Sequence, residues 1–220
     1  MSKNIAVVLS GCGHLDGSEI HEAILTLLAI SKSGATYQGL APNRNQSHVV
    51  NHVTQEVDES SQSRNIMLES ARLVRGDIIA IDQANIKNYD AVIFPGGFGA
   101  AKNLFDFAVK GDASFTVQQD VIDLVDKAKE AGKPMGFICV SPVMMPKLFN
   151  KVKMTIGTDE GVIGIVESLG AKHHMKNVDE ICIDEKNKLV STPAYMLGEN
   201  IYDVSKGIDK LVNEVLKMCD

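Results

Sequence analysis

Met135-Gly136-Phe137-Ile138-Cys139-Val140-Ser141-Pro142 is the stretch that decides the fold. Four residues without a charge follow Lys133-Pro134, and a proline closes the stretch three residues after the cysteine. A short continuous apolar run of this kind reads as a strand buried on both faces. Pro142 suits the first turn of a helix, where a missing N–H leaves no hydrogen bond unmade. Strand, cysteine and proline-opened helix together put Cys139 at a strand-to-helix elbow, the place where an α/β fold exposes a nucleophile above its sheet. Backbone N–H groups at the helix start, Val140 among them, suit a thiolate or a developing oxyanion. A buried structural cysteine is the competing reading, and the elbow position favours the reactive one.

Outward from that stretch the chain alternates. Strands are expected over residues 4–10, 37–41, 78–81 and 91–94, with a hairpin from 181–184 and 189–192. Helices are expected over 19–33, 65–75, 117–131, 142–149, 161–169 and 201–218. The alternation predicts one α/β domain over residues 1–220, with a mostly parallel sheet and helices on both faces. Residues 43–63 are polar and read as an excursion, over one edge or into a subunit contact. In such sheets the ligand site lies beyond the carboxyl ends of the strands, so the turns after strands are where chemistry is sought.

Two further turns qualify. Pro95-Gly96-Gly97-Phe98-Gly99 follows the 91–94 strand directly and can set bare N–H groups against a carbonyl oxygen. It is also readable as an ordinary tight turn, and it does not match the glycine spacing of a nucleotide loop. Asp16-Gly17-Ser18-Glu19-Ile20-His21-Glu22 opens the first helix. Asp16 as N-cap and Glu19 at N3 would form a capping-box pair, which leaves Glu22 as the carboxylate without a structural duty. Taken alone, Glu22 reads as a solvated helix face. His14 and His21 read as rim residues, Lys102 as solvated, and Tyr195 as a packing or pocket-border residue. Cys12 is a candidate pocket-wall or resolving thiol, and Cys182 a core residue.

Composition sets the outer bounds. The 220 residues carry 22 basic and 28 acidic side chains, a formal charge of −6, and 45% are hydrophobic. That balance predicts no nucleic-acid surface and enough apolar material for a packed core. No apolar run approaches the roughly 20 residues of a membrane span, so no membrane partner is expected. The four cysteines, Cys12, Cys139, Cys182 and Cys219, form no Cys-x-x-Cys pair and read as reduced thiols of a cytoplasmic protein. Leu9-Ser10-Gly11-Cys12 has the form of a lipoprotein cleavage box, but the apolar run before it is too short for a secretory signal. No metal site and no cofactor are expected.

The assembled motifs resemble the PfpI superfamily, relatives of class I glutamine amidotransferase domains. Leu9-Ser10-Gly11-Cys12-Gly13, Asp16 to Glu22, Pro95-Gly96-Gly97-Phe98-Gly99-Ala100-Ala101-Lys102-Asn103 and Thr192-Pro193-Ala194-Tyr195-Met196-Leu197 resemble its ElbB branch, named for enhancing lycopene and isoprenoid biosynthesis. The resemblance covers nearly the whole chain. It implies a flavodoxin-like α/β/α sandwich, a nucleophilic Cys139 and a partner glutamate, assigned to Glu22 by counting back from Gly34. It also implies a homodimer and a cofactor-independent glyoxalase that converts glyoxal to glycolate, an activity related to protein deglycation. Departures narrow the choice. Val140 stands where the protease-like branch carries histidine, and no late His-x-Glu completes a glutaminase triad.

A mechanism follows as an expectation. A cysteine of pKa about 8.5 is only a few per cent ionised at neutral pH. A helix N-terminus contributes about 0.3–1 kcal/mol, too little to lower it by several units. Glu22 is therefore expected to hold its proton when Cys139 is ionised, the two titrating as one coupled pair. The thiolate attacks an aldehyde, and N–H groups near Gly96, Gly97 and Val140 hold the oxyanion. The alternatives are a non-catalytic cysteine-based redox sensor and an amidotransferase-like regulatory partner.

Overall fold

The computed structural model of the protein describes residues 2–219. Its strands are β1 (Asn4–Val8), β2 (Thr36–Ala41), β3 (Val50–Asn51), β4 (Glu56–Val57), β5 (Ile78–Ala80), β6 (Ala91–Phe94), β7 (Met135–Ile138), β8 (Lys153–Met154), β9 (Lys172–His173), β10 (Cys182–Asp184) and β11 (Leu189–Thr192). Its helices are α1 (Ile20–Lys32), α2 (Ile66–Ser70), α3 (Phe107–Lys110), α4 (Gln119–Glu130), α5 (Met145–Leu148), α6 (Glu160–Ser168) and α7 (Ile201–Lys217). Among the described residues seven strands form one sheet, in the order β10-β11-β7-β6-β1-β2-β5. Every pairing is parallel except the β10–β11 hairpin.

Alternation along the central strands sorts side chains to two cores. Ile5 and Val7 of β1 face the side covered by α1 and α7, with Ala23, Leu27, Ile208 and Leu211. Ala6 and Val8 face the other side, with Val121, Leu124 and Val125 of α4. Phe94 and Phe137 stack across β6 and β7 with ring centroids 4.9 Å apart. Helix, sheet and helix are thus three layers, the flavodoxin-like sandwich.

Several expected elements shift. The helix expected over 65–75 is regular only through Ser70, whose buried hydroxyl turns inward to accept from the Gly11 N–H at 2.8 Å. The helix expected over 142–149 is a 3₁₀ turn, Ser141–Met144, followed by α5. The polar excursion 43–63 carries the short β3–β4 ribbon and folds over the β1–α1 turn, where the Val50 N–H donates to Asp16 Oδ2 at 2.8 Å.

Strand order reverses at β1: the chain moves outward through β2 and β5, then crosses to β6, β7 and β11. The turns after β1, β6 and β7 therefore converge at a topological switch point, the crevice where such sheets bind ligands.

Candidate active site

Cys139 follows β7 immediately and has φ 62°, a left-handed conformation that is strained for any residue but glycine. Its own backbone, the turn after it and the groups around its sulfur are all bonded. The Cys139 N–H donates to the Thr192 carbonyl at 2.9 Å, and the Ser141 hydroxyl donates to the Pro95 carbonyl at 2.8 Å. The sulfur itself is reached by the N–H groups of Gly97 and Val140 and by the Glu22 side chain. Only 7% of the residue is exposed, and it lies on the wall of a cavity of about 670 Å³.

Glu22 reaches the sulfur from α1. Its side chain is fully buried, and both of its oxygens accept backbone hydrogen bonds: Oε2 from Gly96 at 2.9 Å and Oε1 from Tyr195 at 3.2 Å. The helix start differs from the expected capping box. Glu19, not Asp16, is the N-cap, accepting from the Glu22 N–H at 2.7 Å. Asp16 is drawn away to Val50 in the excursion, a partner that local sequence does not reveal. This places Glu22 at N3, with its carboxyl aimed into the site.

The 95–99 loop is built for close approach. A Cβ on Gly96 would stand 2.5 Å from Cys139 Cβ and 2.8 Å from Glu22 Oε2. Gly97 has φ 104°, and a Cβ there would stand 2.4 Å from the Glu19 nitrogen. The Glu19 N–H donates to the Gly96 carbonyl at 2.9 Å, so this loop and the α1 start are one rigid unit.

Electrostatics tie the two side chains together. Burial, then the Glu19 charge, push Glu22 up from 4.5 to about 8, against its hydrogen bonds from Cys139, Tyr195 and Gly96. The carboxyl therefore holds its proton at neutral pH. Burial also pushes the Cys139 thiol up, helped by the Glu22 charge and hydrogen bond, while the Gly97 and Val140 N–H groups pull it down. That direction runs against the thiolate expected beside a protonated Glu22, because desolvation outweighs two N–H donors. Once Glu22 is protonated its repulsion vanishes and its O–H faces the sulfur. Protonated Glu22 thus no longer adds its charge to what opposes ionisation of the sulfur.

Gly96, Gly97, Val140, Glu22 and Cys139 thus come together. Cys12 does not: it bridges to Ser18 in the β1–α1 turn, away from the cavity wall, and its thiol is pushed up by burial and by Glu69. Cys182 is a core residue whose thiol burial raises to about 11. His14 and His21 line the cavity, and Lys102 donates to the Leu15 carbonyl at 2.9 Å. The part of Tyr195 exceeds what its sequence suggests. Its N–H orients Glu22, and its hydroxyl meets His21 Nδ1 at 2.8 Å; the Thr192-Pro193 turn after β11 was its only signal. Among the described residues no group of three or more His, Cys, Asp or Glu could hold a metal ion, and no helix is long and apolar enough to cross a membrane.

No protein-family model matches the sequence. The human mitochondrial glutamine amidotransferase-like class 1 domain-containing protein 3 is 41% identical, over 97% of this chain and 82% of that protein. The crystal structure of an isoprenoid biosynthesis protein with an amidotransferase-like domain from Ehrlichia chaffeensis is 33% identical, covers 100% of both chains and superposes with a TM-score of 0.91. Glyoxalase III from Candida albicans, 14% identical over 98% of this chain and 97% of its own, shares the fold with a TM-score of 0.63. On identity and coverage together, the chain belongs to the glutamine amidotransferase-like class 1 family.

Proposed function

We propose that the protein is a cofactor-independent glyoxalase of the ElbB type, converting glyoxal to glycolate. The observation that carries this reading is the strained Cys139 elbow, with the Glu22 carboxyl and the Gly97 and Val140 N–H groups on one sulfur. The reacting form in this mechanism is the Cys139 thiolate beside protonated Glu22; the sulfur attacks one aldehyde carbon, a C–S bond forms, and the carbonyl electrons become an oxyanion held by the two N–H groups. The oxyanion takes the Glu22 proton, giving a hemithioacetal. Glu22, now a carboxylate, removes the C–H proton, and an enediol forms. Reprotonation at the second carbon leaves a thioester. The first carbon has been oxidised and the second reduced, so no external oxidant is required. Water cleaves the thioester to glycolate and frees the thiolate.

No imidazole is among the groups acting on the sulfur, which counts against amide hydrolysis by a cysteine–histidine pair. The name glyoxalase III on a solved structure of the same fold supports the choice of chemistry. The physiological state we propose is a homodimer in a reducing aqueous compartment, the cytoplasm. The human relative is named mitochondrial, and cell fractionation distinguishes the two compartments.

The test is glycolate formation from glyoxal by the purified protein, followed by NMR. Cys139→Ser and Glu22→Ala are each expected to lower turnover by about 10²–10⁴-fold, the range of nucleophilic and acid–base contributions. Wild-type turnover is expected to rise with pH toward about 8, as the pair loses its first proton. Undiminished turnover in either variant rejects the mechanism. Rapid oxidation of Cys139 by peroxide, read by intact mass, without any turnover would favour the redox sensor instead.

A further inference from the structure

A second cavity, of about 310 Å³, lies at the end of the sheet opposite Cys139. Lys129, Lys133, Lys186 and Lys188 line it, together with Phe149 and Asn187. Lys133 stands just before β7, whose far end leads into Cys139, and Lys188 stands just before β11. Among the described residues no aspartate or glutamate lines the space, although the chain as a whole carries a formal charge of −6. Two of the four ammonium groups are fixed. That of Lys129 donates to the Leu148 carbonyl at 3.0 Å and to Asp126 Oδ1 at 2.8 Å, and it stands 5.3 Å from the Phe149 ring centroid, within cation–π reach. That of Lys188 donates to the Gly132 carbonyl at 3.3 Å. An ammonium has three donors, so both keep one for a ligand. The other two are free: among the described residues the ammonium groups of Lys133 and Lys186 make no hydrogen bond and no ion pair. Little opposes this charge. Helix α4 ends beside the cavity, and a helix C-terminus amounts to about half a negative charge. Asp126 adds one more in an exposed pair of small weight, while Glu130 and Glu185 neighbour the lysines in sequence but do not line the cavity.

We propose that this cavity is an anion site, separate from the Cys139 crevice, that takes a small phosphorylated ligand, a diphosphate or a phosphate monoester. A carboxylate brings one charge, too little to answer four ammonium groups. A phosphate monoester carries about 1.5–2 negative charges near neutral pH and three strong acceptor oxygens, which suits donors arriving from several sides. Lysine binds phosphate as a point charge and needs no planar fork. At about 30 Å³ for the share of one water, the cavity holds about ten atoms, the size of a diphosphate or a small phosphate ester. Lys129 and Lys188 receive the anion in place, and Lys133 and Lys186 close on it. The proposal does not depend on the chemistry at Cys139.

The test is titration of the isotope-labelled full chain, followed by backbone and lysine NMR, with inorganic phosphate, diphosphate and phenyl phosphate. Acetate is the singly charged control, and each titration is run at low and at physiological salt. Saturable shifts are expected at Lys133, Lys186, Asn187 and Lys188, tighter for diphosphate than for acetate by about tenfold or more, and weaker as salt rises. Lys133→Gln and Lys186→Gln are each expected to weaken diphosphate by about tenfold, the loss of one hydrogen bond to a charged group. Neither ammonium bonds within the fold, so neither change removes a structural contact. Lys210→Gln, on α7 and paired with Asp179 at 3.2 Å, is expected to leave binding unchanged. Phenyl phosphate bound as tightly as diphosphate identifies an ester as the ligand; diphosphate bound with phenyl phosphate excluded identifies the free anion. Shifts that do not saturate, equal affinity for acetate and diphosphate, shifts spread equally to Lys210, or unchanged binding in both cavity variants overturn the proposal. So does an acidic peptide or an oligonucleotide that moves these resonances where diphosphate leaves them still. Glyoxal turnover enters none of these readings, so failure of the glyoxalase proposal leaves the result standing.

Discussion

At the scale of single residues, Glu22 carries a cost that folding must offset. An ionisable group whose carboxyl rises from 4.5 unfolded to about 8 folded binds a proton in the folded state that the unfolded chain has released. Its contribution to stability is complete below about pH 4.5 and is lost as pH rises toward 8, at about 1.4 kcal/mol per unit and roughly 5 kcal/mol in all. Glu22→Gln cannot titrate, so urea melts between pH 5 and 8 should show this slope in the wild type and its absence in the variant. The amide leaves one N–H, from Gly96 or Tyr195, facing a donor, which lowers the variant's stability by a constant of about 1 kcal/mol. A wild-type stability flat over that range would mean that the pair already holds a single proton at pH 5, with Glu22 not raised by burial.

At the scale of elements, the β1–α1 turn, the 43–63 excursion and the segment after β6 meet beside the site. Asn103, in the π-helical turn Ala100–Leu104, joins them. Its Nδ2 donates to the Ser10 carbonyl at 2.9 Å and the Asp16 carbonyl at 3.0 Å, and its Oδ1 accepts from the Ser47 N–H at 2.9 Å. It is almost wholly buried. Asn103→Ala strands these groups and is expected to cost roughly 1–3 kcal/mol. A fall in the urea midpoint, with loss of Ser47 amide protection in hydrogen exchange, checks it; unchanged protection would show the loops to be held by other contacts.

At the scale of the whole molecule, both cores pack against one sheet. We propose that the chain is a single cooperative domain, because β1, β6 and β7 contribute side chains to both faces. Far-ultraviolet circular dichroism and tyrosine fluorescence should then report one urea transition. Leu211→Ala, on the α7 face and fully buried, should shift both signals together by about 2–5 kcal/mol. Transitions that separate would divide the chain into independent units.

The legibility of this protein follows a physical boundary. Local pattern carried β6 and β7 to the residue, because a strand buried on both faces has no polar position and is bounded by a turn residue at each end. It also carried Cys139, because an elbow between strand and proline-opened helix is a local geometry. Gly96 and Gly97 were read from the glycine-rich turn after β6, whereas Glu22 was reached by resemblance of motifs, since on its own it looked like a solvated position. The capping of α1, the inward turn of Ser70, the tie through Asn103 and the part of the Tyr195 N–H were not legible, since each is a hydrogen bond to a distant segment. Above all, the sequence by itself determined the central strands and the elbow at which Cys139 sits. Only the tertiary structure decided that a carboxyl is buried against that sulfur and that a large apolar cavity opens beside it, because burial and cavity shape arise where several segments meet and belong to none of them.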